Sequence, residues 1–233
     1  MDVLEGKTCV LAALQAGRRI FEAVYVRQGI REDSIAALLE AADARGVPVR
    51  RVREEALDAK AHARSHGGIL AVAQPLAPSA VPHPLDFALL LDGVDDARNF
   101  GYCLRSADAF GVQAVFLRRR AFDFDGGDVS RSSSGAYERL PVVLGDHVPE
   151  TVRLLGCAAG TDRTIYDEDL RGPVCLALGG EKRGLSAAVR DRCAALVSIP
   201  TRPGAASLSL THAAAVVMAE VLRQRSPRSP RGS

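Results

Sequence analysis

No window of this sequence approaches the ~18 consecutive apolar residues of a membrane span. Its opening, "MDVLEGKTCVLAAL", has neither the basic start nor the cleavage site of a secretory signal. The expected location is therefore the cytoplasm, with no membrane partner. Cysteine is sparse and scattered. Cys9, Cys103, Cys157, Cys175 and Cys193 form no CxxC pair and have no histidine at ligand spacing, which suggests neither a zinc knuckle nor a disulfide framework. Each reads as a small buried hydrophobe, and no metal is expected. Net charge is slight, +2 over 233 residues, so charge alone does not announce a nucleic-acid binder. Basic residues do cluster at Arg50, Arg51 and Arg53, at Arg118, Arg119 and Arg120, and in the tail "RQRSPRSPRGS". Such clusters permit contacts to RNA phosphates, which position a partner without specifying it. Nucleotide loops are missing too. There is no GxxxxGK[ST], and "GGEKRG" is not GxGxxG.

What is present is an apolar chain, 47% by composition, long enough to bury a proper core. Four prolines, Pro75, Pro78, Pro82 and Pro84, crowd the stretch "AQPLAPSAVPHPLD" and mark a linker between two segments. Residues 1–76 read as a small α/β unit: a helical stretch near Leu4–Ala16, a strand at Ala23–Val26, a helix near Ser34–Arg45 ended by Gly46, and strands in "VPVRRV" and "GILAVAQ". After a linker at 77–84, residues 85–226 alternate short apolar runs with helical patterns. The runs are "FALLL", "VQAVFL", "LPVVL", "LLGCAA", "VCLAL" and "LVSIP", and the alternation predicts a parallel sheet flanked by helices. The last seven residues, 227–233, read as unstructured.

Parallel sheets place their ligands beyond the carboxyl ends of the strands, and three loops there are unusual. In "NFGYCLRSADAFGV", Phe100, Cys103, Leu104 and Ala107 recur at i, i+3, i+4 and i+7, the buried face of a helix. Asn99 is the expected N-cap and Gly111 the left-handed stop. Arg105 falls off the buried face, one turn beyond Gly101, where it is either a solvated arginine or part of a site. "LGGEKRGLS" sets three glycines around Glu181 after a buried strand, and "IPTRPGAASLSLTHAAAVVMAE" leads through small residues into an apolar helix starting near Ser209. The backbone groups of such loops suit a neutral ring such as adenine.

Together these loops resemble the motifs of the SpoU-type RNA ribose 2′-O-methyltransferases, within the knotted SPOUT superfamily. The motifs are "NFGYCLRSADAFGV", "LALGGEKRGLS" and "IPTRPGAASLSLTHAAA", with "SRSSSGAYERLPV" a further similar segment. "VLEGKTCVLAALQAGRRIFEAVYV" and "HGGILAVAQ" resemble the small ribosomal-protein-like RNA-binding domain that precedes the catalytic domain in several members. The resemblance implies an α/β fold: a parallel-sheet catalytic domain with a C-terminal trefoil knot, preceded by a small α/β substrate-binding domain. It implies S-adenosylmethionine as cofactor, held by Gly179, Ile199 and Leu208 with Leu178, Pro200 and Ser207 beside them. Arg105 matches the arginine assigned to activate the ribose 2′-hydroxyl, and Asn99, Glu181 and Ser207 match residues that hold it, the substrate phosphate or the loops. A guanidinium, with a pKa above ~12, makes a poor base, so phosphate binding and stabilisation of developing alkoxide charge suit it better. Members act as homodimers. The third motif commonly reads Ser-Leu-Asn, whereas this chain has Ser207-Leu208-Ser209. The resemblance points to ribosomal RNA of the large subunit; transfer RNA, or an RNA-binding assembly protein that keeps the fold without catalysing, remains open.

Overall fold

A computed structural model describes residues 1–62, 66–118 and 124–226. Arg119, Arg120 and the tail 227–233 lie outside the described residues. Two compact units divide the chain. The first comprises Met1–Ala77, Asp96–Arg105 and the described residues of 123–139; the second comprises Pro78–Asp95, the described residues of 106–122, and 140–226.

The first unit is built on a four-stranded sheet of β1 (Asp2–Glu5), β2 (Phe21–Arg27), β3 (Val49–Val52) and β4 (Ile69–Ala73), in the order β1-β4-β2-β3. β4 runs antiparallel to both neighbours, and β2 runs parallel to β3. Helices α1 (Lys7–Ala16) and α2 (Glu32–Asp43) cover one face, where Leu4, Val10, Leu14, Val24, Val26, Ile35, Leu38 and Ile69 pack together. On the other face, Tyr25, Leu70 and Val72 pack with Leu57 of α3 (Glu54–Asp58). Strand β4, "ILAVA", is accordingly buried at every position. The helix expected over Leu4–Ala16 is instead a strand followed by a helix. Gly6, at φ 90, turns the chain between them, a conformation that residues other than glycine rarely adopt. Leu4 then faces the core from the sheet, and its apolar character fits either element. Gly17, at φ 68, ends α1 in the left-handed conformation, its N–H bonded to the Ala13 carbonyl at 3.1 Å.

The second unit contains a six-stranded sheet in which every pairing is parallel, as the alternating pattern predicts. Its strands are β5 (Phe87–Asp92), β6 (Ala114–Arg118), β7 (Val142–Leu144), β8 (Arg153–Cys157), β9 (Val174–Gly179) and β10 (Ala195–Val197), in the order β10-β8-β9-β5-β6-β7. Between β5 and β6 runs α4 (Ala97–Ala109); α5 (Gly126–Ser132) and α6 (Ala136–Arg139) precede β7. After β9 come α7 (Ala187–Arg190), β10 and α8 (Leu210–Arg225). β5 and β9 are buried almost throughout because both faces of the sheet are covered, and α8 lies against β9. The chain steps outward from β5 through β6 to β7, then returns on the far side of β5 with β8 and β9. The strand order therefore reverses at the β5–β9 seam, where an open parallel sheet leaves a crevice beyond its carboxyl ends.

Candidate active site

The seam ends at the pair Asp92–Gly179. The Gly180 N–H donates to the Asp92 carbonyl at 2.9 Å, and the Gly184 N–H donates back to the Gly180 carbonyl at 2.8 Å. These bonds close "GGEKRG" into a tight turn with Gly184 at φ 58. A Cβ on Gly180 would lie 2.4 Å from the Gly93 carbonyl oxygen, so the loops leaving β5 and β9 touch through their backbones.

One buried charge holds this turn. The Asp92 carboxylate, fully shielded from solvent, accepts from the Ser186 N–H at 2.6 Å and from the Arg118 guanidinium at 2.9 Å. Arg118 also donates to the Ser186 hydroxyl at 3.1 Å and pairs with Asp146 at 3.1 Å. Burial pushes the Asp92 carboxyl upward, but the Ser186 amide and hydroxyl and then Arg118 outweigh it, leaving the group below the usual carboxylate range. A carboxyl depressed in the folded state stabilises the fold above its unfolded value and loses that contribution as pH falls through its folded value. Acid titration of unfolding below about pH 4 is thus expected to show a component that disappears in Asp92→Asn. Arg118→Met, which leaves the carboxylate buried without its cation, is expected to lower unfolding stability by about 2–3 kcal/mol in urea melts. That is below the ~3–5 of a fully buried pair because the Arg118 side chain is 34% exposed. Arg118 is thus engaged in ion pairs with Asp92 and Asp146. Sequence reasoning missed Asp92, although a charge closing the apolar run "FALLLD" was its visible signal.

The second and third loops meet at the start of α8. Glu181 accepts from the Leu210 N–H at 3.4 Å through Oε1. Ser209 is the N-cap of α8: its hydroxyl accepts from the His212 N–H at 3.5 Å and lies 2.6 Å from His212 Nδ1 and 3.1 Å from the Thr211 hydroxyl. Serine serves this cap as well as asparagine does. Leu178 is buried, Gly179 and Ile199 are half-buried, and Pro200, Ser207 and Leu208 are exposed, Leu208 by 42%. The expected cofactor residues therefore lie in one unit, along the carboxyl side of β9 and the connection from β10 to α8.

Asn99 and Arg105 stand on α4, in the part of that helix assigned to the first unit. The helix starts three residues earlier than the sequence reading, with Asn99 as its cap, places it. Asp96 caps it, its carboxylate accepting from the Asn99 N–H at 2.7 Å and its carbonyl from the Phe100 N–H at 3.0 Å. Both Asp and Asn are good caps, but the 3-residue spacing selects Asp96 and puts Asn99 inside the first turn. Phe100, Cys103, Leu104 and Ala107 are buried as their spacing predicts, Arg105 is exposed, and Gly111 stops the helix at φ 76. Tyr102 is surface, 47% exposed. Among the described residues no group of three His, Cys, Asp or Glu side chains could hold a metal, and no helix is long and apolar enough to cross a membrane.

Residues 86–219 match the model of the SpoU rRNA Methylase family. The chain belongs to that family. Residues 3–79 match a second model, described as RNA 2′-O ribose methyltransferase substrate binding. Among curated relatives, the 23S rRNA (guanosine-2′-O-)-methyltransferase RlmB of Photorhabdus laumondii is 32% identical over 245 residues, covering 97% of this chain and 99% of its own. The protein of the same name from Escherichia coli is 30% identical over 241 residues, covering 97% and 99%. Among solved structures, the SpoU methyltransferase AviRb from Streptomyces viridochromogenes superposes with a TM-score of 0.81 at 25% identity, over 96% of this chain and 89% of that one. AviRb has also been crystallised in complex with the cofactor AdoMet.

A SpoU-family cofactor of that kind suits the residues present. The missing side chain of Gly179 lets the Gly184–Leu185 backbone fold against it, at positions where a Cβ would meet three backbone atoms between 1.9 and 2.3 Å away. Peptide groups of the exposed stretches 181–184 and 200–208 can then serve a neutral purine, and Leu208 and Ile199 supply apolar surface.

Proposed function

We propose that this SpoU-family chain is an S-adenosylmethionine-dependent RNA 2′-O-ribose methyltransferase acting on large-subunit ribosomal RNA. The observation that carries the reading is the bond from the Leu210 N–H to Glu181, which joins the second and third motif loops beside Gly179 at the carboxyl end of the β5–β9 seam. The ribosomal substrate is supported by the relatives' names and by their match along the whole chain, the N-terminal segment included.

Leu178, Gly179, Ile199, Pro200, Ser207 and Leu208 hold the cofactor, largely through peptide groups. When bound, it supplies a methyl on a sulfonium, which the ribose oxygen displaces while the carbon–sulfur electron pair goes to sulfur. Arg105 binds the neighbouring phosphate through its fork of donors and stabilises negative charge growing on the ribose oxygen, whose proton leaves to water. Asn99 and Ser207 orient the nucleotide, and Glu181 holds the loops. The work is mostly alignment, which can supply several kcal/mol of a displacement barrier.

Residues 1–76 form the substrate-binding domain and 85–226 the methyltransferase domain, joined by the linker 77–84. The connection after β10 and α8 form a trefoil knot. The enzyme works in the cytoplasm as a homodimer in which a partner's arginine completes the site. Methyl transfer from labelled S-adenosylmethionine to unmodified total RNA, fractionated and hydrolysed in alkali, tests the reading. A 2′-O-methyl blocks cleavage at its own linkage, so label is expected in alkali-resistant dinucleotides from large-subunit rRNA. Label confined to transfer RNA overturns the substrate, and cofactor binding without transfer to any RNA overturns catalysis.

A further inference from the structure

Residues 124–139 belong by sequence to the stretch matched by the methylase model, yet they fold with the N-terminal sheet. Arg19 is their anchor. Its side chain is shielded completely, as is that of Glu138, and the guanidinium donates to both Glu138 oxygens, Nε to Oε2 at 2.7 Å and Nη2 to Oε1 at 3.0 Å. Its third nitrogen donates to Asp2 at 2.6 Å and to the Gln74 carbonyl at 2.9 Å, and the guanidinium lies 5.7 Å from the Tyr137 ring centre. A second tie runs from Arg131 of α5 to the buried Glu5 of β1, 2.6 Å. Gly126 and Gly127 let α5 lie directly on β1: a Cβ on Gly127 would stand 2.2 Å from the Val3 carbonyl oxygen.

The opposite side of the same segment grips α4. Phe100 stacks on Phe124, ring centres 5.3 Å apart, and meets Tyr137 edge-on at 6.2 Å. A Cβ on Gly101 would fall 1.9 Å from the Ser132 hydroxyl and 2.9 Å from the Ser133 nitrogen, so helix and segment are in direct contact. Arg105 follows Gly101 by one turn. An unbroken series of packed groups therefore leads from the N-terminal sheet through Arg19, Glu138, Tyr137 and Phe100 to the turn that carries Arg105.

We propose that Arg19 is a positioning residue for methyl transfer, fixing through Glu138 and the α5–α6 segment the half of α4 that presents Arg105. This rests on the role proposed above for Arg105. The domain that receives the RNA then also sets the reacting arginine. The requirement is for a fork: only a planar, multiply donating group can span Glu138, Asp2 and the Gln74 carbonyl at once.

Arg19→Lys keeps the charge and loses the fork. At saturating RNA its single-turnover rate is expected to fall about 10–100-fold, the cost of a small misplacement of a reacting group, while the Kd for S-adenosylmethionine stays within about two-fold because the cofactor loops belong to the other unit. Amides of residues 100–105 are expected to exchange with deuterium several-fold faster, with those of β5 and β9 unchanged. Gly101→Ala, which pushes helix and segment apart from the other end, is expected to give the same pattern, and the double variant to be no slower than the worse single one, since both interrupt one path. A folded Arg19→Lys with wild-type rate and wild-type exchange at 100–105, or strictly multiplicative effects in the double variant, would overturn the proposal. Arg105→Ala run alongside separates the two readings. If it keeps wild-type transfer, the role of Arg105 falls and this inference with it; if it loses transfer while Arg19→Lys does not, only this inference falls.

Discussion

Arg105→Ala is expected to lose methyl transfer by at least about 10²–10³-fold, the usual cost of removing one preorganised donor aimed at developing negative charge. Arg105→Lys is expected to recover little of it, because an ammonium is a point charge and cannot bind a phosphate in two places. Two other quantities are expected to stay put. The side chain lies on the exposed side of α4, away from Phe100, Cys103 and Leu104, so thermal stability should change by less than about 0.5 kcal/mol. The proposed cofactor residues Gly179, Ile199 and Leu208 belong to the second unit and Arg105 to the first, so the Kd for S-adenosylmethionine should be that of the wild type. Single-turnover transfer to rRNA, read with calorimetric cofactor titration and a melting curve, separates these effects. Loss of cofactor binding in parallel with activity would show that Arg105 supports the cofactor loops instead of the ribose.

What the sequence discloses here follows the range of the forces that shape it. The buried face of α4 is legible because helical periodicity is local: four apolar residues at fixed spacing suffice, and all four are buried. The parallel sheet is legible because strands covered on both faces must be apolar along their length, as "FALLL" and "VCLAL" are. Boundaries are less so. Asp96 and Asn99 are both fit caps, and only the bond from the Asn99 N–H to Asp96 chooses between them. Leu4 would suit a helix face or a strand, and the turn at Gly6 chooses the strand.

The pairings were out of reach for a different reason. Asp92 meets Ser186 and Arg118, and Arg19 meets Glu138, across 26 to 119 residues of chain. No local period records such contacts. A lone acid at the end of an apolar strand, or a pair of arginines after a glycine stop, signals that a partner must exist without saying where. Ser209 shows the converse. Read against the motif it is a lost amide; in the fold it is a helix cap, and its hydroxyl meets that need.

Gly179→Ala is expected to damage the proposed cofactor site by steric means alone. The residue does not have a positive φ, so alanine has no backbone penalty there. Its Cβ, however, would sit 1.9 Å from the Gly184 carbonyl carbon, 2.1 Å from the Leu185 nitrogen and 2.3 Å from the Gly184 oxygen. All three are main-chain atoms within a turn pinned by the Gly180 N–H to the Asp92 carbonyl and by the Ser186 N–H to the Asp92 carboxylate, and none can swing aside as a side chain would. Overpacking of this kind costs about 1–3 kcal/mol when the surroundings yield. Here yielding means displacing the turn that carries Glu181, and with it the bond to the Leu210 N–H. Affinity for S-adenosylmethionine is therefore expected to drop by at least about ten-fold, as 1.4 kcal/mol of that strain would produce if binding had to restore the turn. Gly172→Ala supplies the control: that glycine also lacks a positive φ and has open space around its Cβ position, so melting temperature and cofactor Kd should match the wild type. If Gly179→Ala instead binds cofactor normally while melting lower, the turn supports the fold but does not shape the cofactor site. The peptide groups that hold the cofactor would then have to be sought in 199–208 alone.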